Sequence, residues 1–370
     1  LARRDLRHDA AVERVQVSLR KDGVGEDLAP VFDNGDGSLV AGGFESEDLH
    51  CSASASAAPH TTLTIAMGDP ESSEMGVVGN AFKKYVEDKT NGAIQVVCIY
   101  GGSPGDDEGE RFRKVQKGTL DMALGGIANI VPLEKKLGLL TLPYLFANLN
   151  EVVAGTNGAP AELLNKYATE AGFRILTWTY TGFRFISNDK HPITKLSDMK
   201  GLKFRVPQSA VMIATYKAFG AIPSLIPWSM TFNALQSGDV DGQCYGYIGF
   251  RAMKFNEANQ KYLTEVHYTY QLQPLVISER VFKKMTPEMQ KVIVDAGKYA
   301  QDAVLKFQLE NAEAAKKELI AGGLVVSQLE DEDLWKKAAI EKVWPEMADF
   351  VGGKDAINEY LKACGKDAWK

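Results

Sequence analysis

Residues 63–99 read LTIAMGDPESSEMGVVGNAFKKYVEDKTNGAIQVVCI. Leu63–Met67 is a short apolar run that reads as a strand. Ser73 is placed to cap a helix continuing to about Lys89, and Asn91 with Gly92 ends it. Ile94–Ile99 is a second strand. Strand, capped helix and strand in that order make a βαβ unit, which predicts α/β architecture with mainly parallel sheets.

The same grammar continues downstream. A helix is expected over Glu110–Lys117, a strand over Leu120–Leu124, a turn through Leu139–Leu145, a helix near Ala161–Glu170 and a strand over Arg174–Tyr180. A second set starts after Gly182, where Ser197 caps a short turn before the strand Leu202–Val206. Ser209 then caps a helix over Val211–Phe219, Ser229 caps one over Met230–Gln236, and Gly238 closes it. Thr286 as N-cap and Pro287 at the first helical position open a stretch with no breaker before Gly322, apart from Gly297. At about 1.5 Å per residue that helix is roughly 50 Å long, more than one lobe is wide, so it must reach across two. The expected division is one lobe of residues 59–182 plus 271–310 and a second of 183–270 plus 311–370, with a cleft between them.

Composition narrows the function. A chain of 370 residues with 45% hydrophobic and 24% charged residues is globular and long enough for two cores. Its net charge of -6, without clustered Lys and Arg in the body, excludes a nucleic-acid partner. No apolar run reaches the roughly 18 residues needed to cross a bilayer, so direct membrane insertion is not expected. Cys51, Cys98, Cys244 and Cys364 show no CxxC spacing, which argues for buried thiols rather than zinc. Phosphate-loop, dinucleotide, GxSxG and HExxH signatures are missing, so no cofactor is implied.

Residues 1–58 read differently, with Arg3, Arg4, Arg7 and Arg14 followed by acidic and Gly-rich stretches, and are expected to be a disordered extension or signal remnant. Ser52–Ala58, SASASAA, resembles the small-residue end of a secretory signal, although no apolar segment precedes it. Phe32 and Gly43 stand where a calcium loop needs Asp and Glu, and Leu49 with His50 makes a poor lipoprotein box before Cys51.

Three stretches carry a family likeness: GFRFISN at Gly182–Asn188, DMKGLKFRVP at Asp198–Pro207, and ALQSGDVDGQ at Ala234–Gln243. From about Leu63 to its end the chain resembles the periplasmic solute-binding subunits of TRAP (tripartite ATP-independent) transporters, the DctP-like family that includes C4-dicarboxylate and sialic acid binders. The resemblance implies a two-lobed periplasmic-binding-protein fold, a small organic anion as ligand, a pair of TRAP permease subunits as membrane partner, an ion gradient as energy source and a periplasmic, monomeric protein. It assigns the ligand carboxylate to Arg205, with Arg184 as a second cation. A guanidinium's parallel donors match the two oxygens of a carboxylate, which a lysine cannot do.

Other positions depart from the family. Cys244, Tyr245 and Gly246 replace the usual Glu-Asn-Pro, so Tyr245 stands where an Asn helps hold the carboxylate. Trp228 replaces a common Phe, and Gly126 with Asn129 disfavours sialic acid. Gln208, and Asp69 or Glu71 after the first strand, could meet ligand hydroxyls or an amine, with the two acids read chiefly as exposed loop carboxylates. Two rivals use the same cleft: an enzyme acting on a small acid, with Asp69, Glu71 or His267 as base, and a sensor subunit presenting ligand to a receptor.

Overall fold

The computed structural model describes residues 61–102 and 107–370; the expectations for residues 1–58, including Cys51 and the signal-like run, lie outside them. The strands of the first half are β1 (Thr61–Met67), β2 (Ile94–Ile99), β3 (Met122–Leu124), β4 (Phe173–Phe183), β5 (Phe185–Asn188) and β6 (Lys203–Val206). Those of the second are β7 (Ile222–Leu225), β8 (Gly242–Tyr245), β9 (Tyr262–Glu265), β10 (Tyr270–Ser278) and β11 (Val325–Gln328). They form two sheets, ordered β2-β1-β3-β10-β4 and β11-β9-β5-β8-β6-β7.

Within β1, Leu63, Ile65 and Met67 are buried in alternation, the mark of a strand with one face in a core. The first helix, α1 (Glu74–Lys89), starts where Ser73 accepts a hydrogen bond from the Gly76 amide and buries Val78, Phe82 and Val86 against that sheet. A second, α2 (Glu108–Lys117), is capped by Asp107 and packs on β3 and β10.

Both sheets are mixed, which corrects the expectation of mainly parallel pairing. β1 runs parallel to β2 and β3, whereas β10 is antiparallel to β3 and β4, and β5 is antiparallel to β8 and β9. The cause is the route of the chain. It leaves the first sheet along β4, enters the second at β5, and returns beside β4 along β10, so the outgoing and returning strands point opposite ways. The two crossings are themselves tied, since the Arg184 amide donates to the Thr269 carbonyl at 2.9 Å.

The long helix, Pro287–Ala321, begins at Thr286, whose side chain accepts from the Met289 amide. Its first half buries Ile293, Ala296, Ala300 and Val304 in the first core, and its second half buries Ala315 and Leu319 in a core of the second sheet. Beyond it, Trp335 and Ala339 pack with the second sheet, but Trp344, Val351, Ile357 and Tyr360 return to the core of the first. The Trp344 indole donates to the Pro143 carbonyl at 2.8 Å and the Tyr360 hydroxyl to that of Gly155 at 2.7 Å. This differs from the expected grouping of 311–370 with the second lobe; two large aromatic side chains buried in the first core hold the chain end there.

Two local expectations are also corrected. The turn Leu196–Met199 is held by Asp198, which accepts from the Thr194 and Lys195 amides at 2.9 Å each, rather than by Ser197. The helix expected over Met230–Gln236 is present as Thr231–Ser237 and closed by Gly238, but a 3-10 turn, Trp228–Met230, leads into it in place of a Ser229 cap.

Candidate functional site

Strand β6 supplies the first element of the site. Phe204 and Val206 lie in the second core, and alternation turns Arg205 to the opposite face. Arg205 is only 4% exposed, and its Nε donates to the Ile226 carbonyl at 2.9 Å, which fixes the stem and leaves the terminal nitrogens to a cavity. Its guanidinium lies 5.3 Å from the centre of the Trp228 ring. Trp228 stacks in turn on Tyr245 at 5.1 Å and 20°. At the crossing between β4 and β5, Arg184 donates through Nε to Cys244 Sγ at 3.2 Å and through Nη2 to the Cys244 carbonyl at 3.1 Å.

The first sheet contributes acids. Asp69, just beyond β1, is buried rather than exposed as the sequence suggested: its two oxygens accept from the Tyr245 hydroxyl at 2.7 Å and the Trp228 indole at 2.8 Å. Glu108, in the first turn of α2, accepts from the Asn129 side chain and lies 3.5 Å from Arg111 Nη2. These groups line one cavity of about 50 Å³ together with Met212, Gln271 and Gln273.

Burial sets the electrostatics. It raises the Asp69 pKa against the pull of Tyr245 and Trp228, and pushes Glu108 up to about 7 against the pull of Arg111. Arg205 is brought down to about 10 by burial and then by Arg184, so it still carries its charge at neutral pH. Among the described residues neither Arg184 nor Arg205 has a carboxylate within ion-pair distance. Arg205 is buried and Arg184 partly so, and cations held away from water without a direct ion pair are costly unless an anionic ligand joins them.

Arg205, Arg184, Tyr245, Trp228, Asn129 and Asp69 therefore meet around one cavity. Gln208 and Glu71 do not: both are exposed, and Glu71 accepts from Asn80 at 3.0 Å. Strand β6 ends at Val206, and Gln208 turns outward before Ser209 caps the next helix. His267 lies outside the cavity too, with Nδ1 3.2 Å from Glu332. Sequence reasoning missed Glu108, Gln271 and Gln273. Among the described residues no group of three metal-ligating side chains occurs, and no helix is long and apolar enough to cross a membrane.

The model of the bacterial extracellular solute-binding protein family 7, DctP, matches residues 65–350. The chain belongs to the DctP family. A DctP relative in Verminephrobacter eiseniae, described as a solute-binding protein, is 34% identical over 250 residues, 66% of this chain and 72% of the relative. The fold matches a TRAP periplasmic solute-binding protein from a Polaromonas species, solved with bound D-erythronate, at a TM-score of 0.77 and 28% identity, covering 84% of this chain and 100% of that one. A counterpart from Ralstonia eutropha, solved with bound (S)-2-acetolactate, gives 0.76 and 29%, covering 83% and 99%. The two-lobed fold of this DctP protein is thus that of TRAP solute-binding proteins.

Proposed function

We propose that the protein captures a small organic acid in the periplasm, holds its carboxylate through Arg205 and Arg184, and passes it unchanged to TRAP permease subunits in the membrane. The observation that carries this reading is the pair of guanidinium groups on one cavity without a carboxylate at ion-pair distance among the described residues. Arg205 presents the fork, and Arg184, held on Cys244, adds the second charge. Trp228 and Tyr245 supply an aromatic wall, and the protein acts as a monomer without a cofactor. Both solved relatives named above hold carboxylates.

The three bases that the enzyme reading named from sequence are engaged elsewhere, which weighs against catalysis by them. Both Asp69 oxygens accept from neighbours, Glu71 is exposed and His267 pairs with Glu332 outside the cavity. The test is a thermal-shift screen of the full chain against small carboxylates, sulfonates and phosphates, with the bound compound recovered and identified. A ligand at a hundred times its dissociation constant stabilises by about 2.7 kcal/mol. The expected result is a carboxylate hit, recovered unchanged and lost in Arg205→Ala. A panel without a carboxylate hit, a hit indifferent to Arg205→Ala, or a converted compound overturns the reading.

A further inference from the structure

We infer that Glu108 selects among acids: it admits monocarboxylates whose far end donates a hydrogen bond, hydroxy acids above all, and turns away dicarboxylates. This rests on the reading of Arg205 and Arg184 as the carboxylate anchor. Arg205 comes from β6 of the second sheet and Arg184 from the crossing that enters it, whereas Glu108 lines the same cavity from α2 on the first. An acid anchored at one end therefore meets Glu108 with the other.

The surroundings make Glu108 a built acceptor. A Cβ on Gly68 would stand 3.3 Å from its Oε1, and one on Gly125 only 3.1 Å, so two glycines leave the room that the carboxylate occupies. Asn129 donates to Oε2, and Arg111 lies on the Oε1 side at 3.5 Å. A carboxylate has about four lone-pair sites, so acceptor capacity is left for a ligand. Asp69 is the poorer acceptor, since each of its oxygens already accepts a hydrogen bond, whereas among the described residues only Oε2 of Glu108 does so.

A second acceptor stands on the same wall. The Tyr245 hydroxyl donates to Asp69 and therefore accepts from Gln273 Nε2 at 3.2 Å, which fixes the amide's orientation. Gln273 Oε1 is then the free end; it is buried and has no protein partner among the described residues. A ligand hydroxyl satisfies such acceptors. A second carboxylate brings only more lone pairs and a like charge into a site shielded from water, where that repulsion is strongest.

The test is calorimetric titration of the full chain at about pH 8, where both ends of a diacid are ionised. The probes are pairs matched in length: 3-hydroxypropionate against malonate, 4-hydroxybutyrate against succinate, and 5-hydroxypentanoate against glutarate. In the best-bound pair the hydroxy acid is expected to bind on the order of tenfold to a hundredfold tighter, the worth of one hydrogen bond to a charged group. Glu108→Gln, nearly isosteric, should shrink that ratio to about threefold or less, chiefly by admitting the diacid. A diacid that equals its partner in the wild type, or a ratio unmoved by Glu108→Gln, overturns the inference and leaves the carboxylate anchor standing. The wild-type comparison decides by itself if the variant does not fold. Binding by neither member of any pair removes the anchor reading, and this inference with it.

Discussion

The Tyr245 hydroxyl donates to the Asp69 carboxylate at 2.7 Å, joining the end of β8 in the second sheet to the end of β1 in the first. Both partners are buried, so the bond spans the cavity away from competing water. Tyr245→Phe leaves that oxygen of Asp69 without its donor, at a cost of about 1–3 kcal/mol. The expected outcome is a melting temperature lowered by several degrees in the ligand-free protein. Unchanged melting would mean that the bond does not help to hold the two sheets together.

Arg205 separates charge from geometry. Its Nε is spent on the Ile226 carbonyl, so what faces the cavity is the planar end of a fork. Arg205→Lys keeps a cation but offers a single point of donation. Truncating one member of a buried ion pair costs on the order of 3–5 kcal/mol, so Arg205→Ala should weaken a carboxylate by a hundredfold or more. Lysine should fall between wild type and alanine by titration calorimetry. Full retention of affinity in Arg205→Lys would show that the fork is not used.

How much could be read beforehand depended on local chemistry. Ser73, Ser209 and Thr286 each accept from the amide three residues on, and the helices behind them start within a residue of where those caps placed them. Arg205 was legible because it stands in a strand flanked by recognisable motifs. Strand β10 was not: Pro274 sits at its middle, two register shifts interrupt it, and Gln271 and Gln273 break its apolar pattern, although every residue is buried. The two glutamines and the first register shift are where the strand serves the cavity. Glu108 was equally hidden, because in sequence it is one acid among several at a helix start, and only the packing of α2 on β3 and β10 buries it.

Glu74 gives the fold a pH dependence. It is wholly buried, and burial, opposed by its own backbone amide and reinforced by Asp69, pushes its pKa from 4.5 to about 8. Between those values the folded state keeps a proton that the unfolded chain releases, so stability falls as pH rises, by up to about 1.4 kcal/mol per pH unit. Glu74→Gln removes this linkage. Its melting temperature should match the wild type near pH 5, exceed it near pH 8, and vary less between the two. Parallel pH profiles for both proteins would contradict the assignment.

Gly297 sets two effects of opposite sign against each other. Inside a helix, Gly→Ala is worth about 1 kcal/mol of added stability by propensity alone. Here a Cβ would stand 2.3 Å from the Leu176 carbonyl oxygen and 2.9 Å from its carbon, so the long helix rests directly on the backbone of β4. Backbone cannot turn aside as a side chain can, and Gly297→Ala must push helix and strand apart at an overpacking cost of about 1–3 kcal/mol or more. That cost cancels or exceeds the propensity gain, and the same helix continues into the second sheet's core, so the displacement reaches both lobes. The expected result is a lower denaturant midpoint for Gly297→Ala, whereas Ala321→Gly at the frayed end of the helix should cost little. A midpoint raised by Gly297→Ala would mean that the helix does not bear on β4 as closely as this contact requires.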